Sequence, residues 1–172
     1  MERSPNKNFK TKEGIFGRNT GRLRAFPIPL ISPRCDTGLG ETALKNAKRP
    51  ILKIKLTGDG DLERLIEIRN NAPHSRLVID ANEGWTEEHY KSYVPKFKQL
   101  GVEMIEQPFP ADNDSILKNL DHLIPVCADE SCHDTADLER LIGLYEFINI
   151  KLDKTGGLTE ALRLQSAAEV KG

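Results

Sequence analysis

The feature of this sequence that most restricts its fold is a series of five short apolar runs, rich in β-branched residues, at nearly even spacing. Such runs are typical of strands buried on both faces of a parallel sheet, because helices cover both sides. The segments between the runs are each long enough for one helix, so the order of strand and helix predicts a parallel α/β architecture. The predicted strands are 51–55, 77–80, 102–106, 124–129 and 147–151.

Each of these runs ends in a charged residue: Lys55, Asp80, Glu106, Asp129 and Lys151. Successive positions are separated by 25, 26, 23 and 22 residues, which is one strand and one helix each time. In a parallel barrel the carboxyl ends of the strands meet at one mouth, where such enzymes carry their chemistry. One polar strand end alone indicates only that the chain emerges into solvent. Five in the same phase predict a shared site.

Length, charge and hydropathy exclude several classes of protein. At 172 residues and a net charge of -1, the chain has the length of one domain and gives no general indication of a nucleic-acid partner. No apolar run approaches the length of a membrane helix, so no membrane partner is predicted and a cytoplasmic location is expected. Cys35, Cys127 and Cys132 show no disulfide or zinc pattern, as expected of a reducing compartment.

The composition changes near residue 38. Residues 1–34 carry eight Lys or Arg against two acids and show no periodicity, which predicts a disordered or atypical basic N-terminal segment over 1–38. A partial barrel of about five to six βα units is predicted over 39–172, with a degenerate further strand near 28–37. The predicted helices are 41–47, 61–72, one that begins at 86 and breaks or kinks near Pro95, 115–123, 136–144 and 158–170.

Three carboxylates at one site repel one another unless a cation neutralises them, and oxygen ligands favour a hard ion such as Mg2+. An ion held by Asp80, Glu106 and Asp129 keeps positions open for a substrate carboxylate, whose α-carbon becomes more acidic. Lys55 and Lys151 come from the first and fifth predicted strands and approach from opposite sides. A lysine near a divalent cation is expected to have a lowered pKa and to act as a base. One lysine removing the α-proton and the other returning one predicts racemisation or epimerisation.

The residues at these strand ends resemble the muconate-lactonising subgroup of the enolase superfamily, and most of all its dipeptide epimerases and N-acyl amino acid racemases. The resemblance covers roughly residues 40–170. The motifs that carry it are Lys53-Ile54-Lys55, Asp80-Ala81-Asn82, Glu106-Gln107-Pro108, Asp129-Glu130-Ser131 and Ile150-Lys151-Leu152-Asp153-Lys154-Thr155-Gly156-Gly157.

The resemblance implies a Mg2+ cofactor held by Asp80, Glu106 and Asp129, with Lys55 and Lys151 as the acid/base pair. The substrate implied is a small molecule, a dipeptide such as Ala-Glu or an N-acyl amino acid, which reacts through an enediolate.

The same resemblance implies supporting roles around these groups. Lys53 holds the substrate carboxylate or lowers the pKa of the neighbouring lysine, and Asn82 contacts the substrate. Gln107 and Glu130 lie beside the metal ligands.

The sequence also departs from the family. Nothing in residues 1–40 resembles the capping domain of its members, and the two strands expected after the second lysine are missing, so an incomplete barrel without a cap is expected. Exposed sheet edges then favour association or a homo-oligomer. Two alternatives to an epimerase stay open: a relative of cycloisomerases or o-succinylbenzoate synthases, and a catalytically inactive fragment.

Overall fold

The computed structural model describes residues 30–32 and 38–171. Six parallel strands form one sheet whose order follows the chain, and helices alternate with them. This confirms the predicted partial (β/α) barrel as an open sheet with β1 and β6 at its edges. The strands are β1 Leu30–Ile31, β2 Ile51–Lys55, β3 Arg76–Asp80, β4 Val102–Glu106, β5 Val126–Ala128 and β6 Phe147–Ile148; the helices are α1 Leu39–Asn46, α2 Asp61–Asn71, α3 Glu87–Gln99, α4 Leu138–Leu141 and α5 Leu158–Lys171.

The N-terminal expectations meet the structure only in part. The degenerate strand predicted near 28–37 corresponds to β1, which pairs with β2. Most of the basic segment predicted at 1–38, together with Cys35, lies outside the described residues. Cys127 and Cys132 are buried free thiols, as their spacing indicated.

The helical predictions differ from the structure at three places. Helix α3 continues through Pro95, so of the predicted break or kink the break does not occur; Val94 and Phe97 on either side of it pack into the core. The segment predicted as a helix at 115–123 is a 3-10 helix, Asp114–Asn119. The segment predicted as a helix at 136–144 is a 3-10 turn, Thr135–Asp137, followed by α4.

Within residues 30–32 and 38–171, no helix is long and apolar enough to span a membrane.

The two faces of the sheet differ in chemistry because side chains alternate along each strand. Leu52 and Ile54 of β2 point into the main core between sheet and helices. Lys53 and Lys55 are the alternate residues and point to the opposite face. On that face Val78 and Met104 belong to a second, smaller apolar cluster.

The strand register aligns the predicted site residues. Lys55 pairs with Asp80 across β2 and β3, and Asp80 pairs with Glu106 across β3 and β4. Glu106 pairs with Cys127 in β5, and Asp129 follows two positions later on the same face. The sheet therefore places one row of charges along its carboxyl edge.

Asp61 fixes two of the loops at this edge. Its buried carboxylate accepts hydrogen bonds from the Gly58 N–H at 2.7 Å and from the Trp85 indole N–H at 2.9 Å. It also pairs with Arg64 at 2.9 Å. The loop after β2 and the loop after β3 are thus tied to the first turn of α2.

Replacing Asp61 with alanine tests this anchor. Asp61→Ala leaves the Trp85 and Gly58 donors without an acceptor, so we expect the free energy of unfolding to fall by about 3 kcal/mol. Urea denaturation followed by the fluorescence of Trp85, the only tryptophan, measures it. The matched control is Asp59→Ala, since the Asp59 side chain is fully exposed and its removal should cost less than about 0.5 kcal/mol. Equal losses in the two variants would contradict the anchoring role.

Candidate functional site

Three carboxylates predicted for the site lie side by side at the carboxyl ends of the strands. Asp80 ends β3, Glu106 ends β4 and Asp129 directly follows β5. They are only 5%, 3% and 2% exposed, respectively. Buried carboxylates are stable only when cations or hydrogen-bond donors compensate the lost hydration, so their neighbours decide what the site can do.

Lysine ammonium groups supply much of this compensation. Lys53 Nζ lies 3.0 Å from Asp80 Oδ2 and 2.8 Å from each carboxylate oxygen of Glu106. Lys151 Nζ donates to Asp129 Oδ2. The structure therefore brings these two predicted lysines into the carboxylate cluster.

Lys55 has a different environment from Lys53, although both belong to β2. Its Nζ donates to Asn82 Oδ1, and the Asn82 amide in turn donates to Glu130 Oε1 at 2.9 Å. The backbone N–H of Asn82 donates to Asp80 Oδ1 at 3.1 Å. Lys55 is thus joined to the same cluster through a neutral amide, and no carboxylate in the described part of the chain forms an ion pair with it.

The pKa values of two buried carboxylates, Glu106 and Asp129, are shifted in opposite directions. Burial and the contact with Asp129 raise the pKa of Glu106 to about 7, even though Lys53 acts in the other direction. Burial alone would raise the pKa of Asp129 as well, but hydrogen bonds with Glu106 and with two lysines hold it well below its usual range. Two close carboxylates share limited positive charge, so one of them favours its proton near neutral pH.

Two lysines of the site have raised pKa values. Burial alone would lower the pKa of Lys151, but its hydrogen bond with Asp129 and the carboxylate charges raise it above its ordinary value. The pKa of Lys53 is likewise raised, with Glu106 and Asp80 outweighing burial. The expected lowering supposed a cation beside each lysine, whereas here each ammonium group itself neutralises the carboxylates.

The donor set fits a hard divalent cation in its chemistry. Three carboxylates from neighbouring strands offer only oxygen, as Mg2+ prefers. Among residues 30–32 and 38–171, no three acidic, histidine or cysteine side chains are arranged as a ready metal site. Asp80 and Asp129 instead turn an oxygen toward a lysine.

Two further residues lie at the site: Lys154, to which the sequence assigned no definite role, and Asn149, which was not identified from the sequence. Lys154 Nζ donates to both Oδ1 and the backbone carbonyl of Asp129, because a turn at 151–155 brings it back beside Lys151. Asn149 Nδ2 donates to Glu106 Oε1 at 3.0 Å. Its position two residues before Lys151, on the same side of an extended chain, was the signal that could have revealed it.

A buried polar network supports the site from behind. Gln107 Oε1 accepts the backbone N–H groups of Asp129 at 2.9 Å and Ser131 at 3.1 Å. Gln107 Nε2 donates to Ser131 Oγ at 2.7 Å and to Tyr145 OH at 3.0 Å. The hydroxyls of Ser131 and Tyr145 both donate to Asp114 Oδ2. These bonds fix the chain on either side of Glu130. They therefore fix the direction in which the carboxylates of Asp129 and Glu130 point.

Three non-glycine residues in the loops after β3 and β4 have left-handed backbone angles: Asn82 at φ 47°, Glu83 at φ 64° and Gln107 at φ 35°. Such conformations cost free energy and persist where surrounding contacts enforce them, commonly at functional sites. Here the Glu83 N–H donates to the Gln107 carbonyl at 2.9 Å, which ties the two loops together.

A comparison with known families and proteins can now be set beside this geometry. The sequence profile described as "Enolase C-terminal domain-like" matches residues 39–172. The chain belongs to this family. It is 47% identical over 131 residues to the L-Ala-D/L-Glu epimerase of Escherichia coli (strain K12), covering 76% of this chain and 41% of that protein. It is 46% identical over 148 residues to the N-acetyl-D-glutamate racemase of a Pseudoalteromonas species, covering 86% and 46%.

Solved structures of other enolase-family proteins agree with the fold. An enolase family member from Agrobacterium tumefaciens with homology to dipeptide epimerases, solved with sodium and L-Ala-L-Glu, is 42% identical with a TM-score of 0.78, over 84% of this chain and 45% of that one. A dipeptide epimerase from Cytophaga hutchinsonii, complexed with Mg and D-Ala-L-Val, is 29% identical with a TM-score of 0.75, over 87% and 44%. The chain spans about half the length of the curated relatives it matches.

The pKa of Glu106 in this enolase-family domain predicts a pH dependence of stability. Since the folded-state pKa is about 7 and the ordinary value is 4.5, the folded chain holds more protons than the unfolded chain between these values. The contribution of Glu106 to the free energy of unfolding therefore falls as pH rises from about 4.5 to 7. Melting temperatures measured by circular dichroism at pH 5, 6, 7 and 8 test this. In Glu106→Gln this component of the slope should vanish, and an unchanged slope would contradict the assignment.

Proposed function

We propose that this chain carries the proton-transfer site of a Mg2+-dependent epimerase or racemase that acts at the α-carbon of a carboxylate substrate. The observation that carries the proposal is the position of Lys55 and Lys151 at opposite ends of one row of buried carboxylates. Lys55 belongs to β2 and Lys151 follows β6. A substrate over the row can meet an amine from either side.

The residues that would hold the ion are Asp80, Glu106 and Asp129, whose donor chemistry fits Mg2+. When bound, Mg2+ polarises the substrate carboxylate and offsets the negative charge that develops when the α-proton leaves. With an ion held there, Lys53 and Lys151 would supply less of the charge compensation of these carboxylates, and Lys151 would be available for proton transfer.

The two lysines divide the reaction between the two faces of the α-carbon. One neutral amine accepts the α-proton and becomes an ammonium group, and the lysine on the opposite face donates a proton to the enediolate carbon, which inverts the centre. Lys53, held by two carboxylates, stays charged and attracts the substrate carboxylate. Asn82 lies between Lys55 and Glu130, beside the proposed position of the substrate.

The names of the relatives support the choice of substrate. Proteins 47% and 46% identical over their matched regions are an L-Ala-D/L-Glu epimerase and an N-acetyl-D-glutamate racemase. Both substrates contain a glutamate α-carbon with its nitrogen acylated. We therefore propose a small-molecule substrate of this class, a dipeptide such as Ala-Glu or an N-acyl amino acid, and a cytoplasmic site of action.

A second candidate is a cycloisomerase. A muconate cycloisomerase from Pseudomonas fluorescens is 26% identical with a TM-score of 0.75, over 89% of this chain. The same lysines could abstract a proton α to a carboxylate without returning it to the opposite face. Conversion of such acids without exchange of a dipeptide α-proton would select this candidate.

We also propose that the chain associates with itself, because the sheet edges at β1 and β6 are open. Sedimentation of the purified chain measures this association.

Deuterium exchange tests the epimerase proposal. The full chain is incubated with Mg2+ and L-Ala-L-Glu in D2O, and the glutamate α-proton is followed by NMR. We expect the signal to disappear, and formation of L-Ala-D-Glu to fall about 100-fold or more in both Lys55→Ala and Lys151→Ala, since inversion needs an acid/base group on each face of the α-carbon. Exchange itself should be lost only in the variant that lacks the lysine facing the α-proton of this epimer. Lys96→Ala, an exposed lysine on α3, is the matched control and should behave like wild type. Absence of exchange in a folded chain that binds Mg2+ would contradict the proposal for this chain.

Thermal stability tests the metal ligands separately. At a Mg2+ concentration about 100 times Kd, binding stabilises the folded state by about 2.7 kcal/mol, so the melting temperature should rise by several degrees. Asp80→Asn should abolish this rise because it removes a ligand charge. Asp112→Asn, the same change at an exposed position, should keep it. Equal Mg2+ responses in the two variants would rule out Asp80 as a ligand.

A further inference from the structure

The hydrogen-bond chain from Lys55 through Asn82 to Glu130 has a fixed polarity. Lys55 Nζ can only donate, and Glu130 Oε1 is the acceptor at the other end of the chain. The amide between them can satisfy both in one orientation only, with Oδ1 toward the lysine and Nδ2 toward the glutamate, as observed. If the amide turned over, its NH2 group would face the ammonium group.

The position of the Glu130 side chain costs free energy, because one of its carboxylate oxygens is buried without a partner among the described residues. Its Oε2 atom is buried and has no hydrogen-bond partner among the described residues. An unpaired buried carboxylate oxygen is unfavourable, while the other oxygen, Oε1, accepts the Asn82 amide at 2.9 Å. The backbone is fixed on both sides of Glu130, because Gln107 Oε1 accepts the N–H groups of Asp129 and Ser131.

The backbone of Asn82 serves the same arrangement. Its φ of 47° lies in the left-handed region, which asparagine tolerates better than most residues. Its N–H donates to Asp80 Oδ1 at 3.1 Å, which fixes the turn from which the amide reaches Lys55.

From these contacts we propose that Glu130 is a positioning residue, which acts through Asn82 to hold the amine of Lys55 in place for proton transfer on one face of the substrate. Glu130 reaches Lys55 through the Asn82 amide. Its role in catalysis rests on the function proposed above, while the restraint of Lys55 is a property of the chain alone and can be tested alone.

The restraint is measured by competitive acetylation of lysines with a limiting reagent, followed by mass spectrometry of the full folded chain. Glu130→Leu removes the acceptor at similar side-chain volume. We expect Lys55 to be acetylated about threefold faster in this variant, as for loss of one hydrogen bond, with the rate at Lys151 unchanged. Glu130→Gln keeps one acceptor oxygen and should have a smaller effect. Glu103→Gln removes a carboxylate at the opposite end of the sheet and should have none.

An unchanged rate at Lys55 in Glu130→Leu would overturn the proposal. A parallel increase at both lysines would also overturn it, because that would indicate a general loosening of the site.

The catalytic consequence is measured by α-proton exchange in D2O from L-Ala-L-Glu and from L-Ala-D-Glu separately, because each epimer presents its α-proton to one lysine. Glu130→Leu should slow exchange about tenfold for the epimer that Lys55→Ala affects, and leave the other epimer near the wild-type rate. Equal slowing of both epimers would overturn the positioning role. If wild type exchanges neither epimer, the proposed function fails, while the acetylation result still decides whether Glu130 restrains Lys55.

Discussion

Charge compensation among buried carboxylates is the constraint on which the rest of this structure depends. Asp80, Glu106 and Asp129 lie next to one another because a parallel sheet in register brings successive strand ends together. They are too deeply buried to be solvated, so cations must approach them. Lys53 of β2 and Lys151, which follows β6, do so, and their charges make the burial of the three carboxylates compatible with a stable fold.

The differences among the lysines follow from this competition for carboxylates. Lys53 and Lys151 are held by ion pairs that raise their pKa values, whereas Lys55 is held by the Asn82 amide. Three lysines of one cluster thus have different bonding partners. Proton transfer needs an amine that can lose its proton, and charge attraction needs one that cannot. The two carboxylates beside Lys53 suit it to charge attraction, and the neutral amide beside Lys55 suits it to proton transfer, whereas Lys151 suits its proposed task only once its ion pair with Asp129 is broken.

Buried hydrogen bonds of Gln107 and Asp61 explain why the ends of the strands stay in place. Gln107 satisfies donors and acceptors on both sides of Glu130, and its hydrogen bonds reach Asp114 through two hydroxyl groups. Asp61 does the same for the loops after β2 and β3. Each of these buried polar groups is costly unless fully paired. The positions of the functional side chains therefore depend on the fold as a whole and not on single loops.

The sequence by itself determined the alternation of strand and helix and the row of charged strand ends, because both depend on local periodicity and even spacing. The α/β class, β2 to β4 and the joining of Lys53, Lys55, Asp80, Glu106, Asp129 and Lys151 in one cluster follow from it. Only the tertiary structure decided which carboxylate each lysine meets, the return of Lys154 to Asp129, and the link from Glu130 to Lys55 through Asn82. These contacts join residues of different units, and they depend on strand register and turn geometry, which local sequence patterns do not specify.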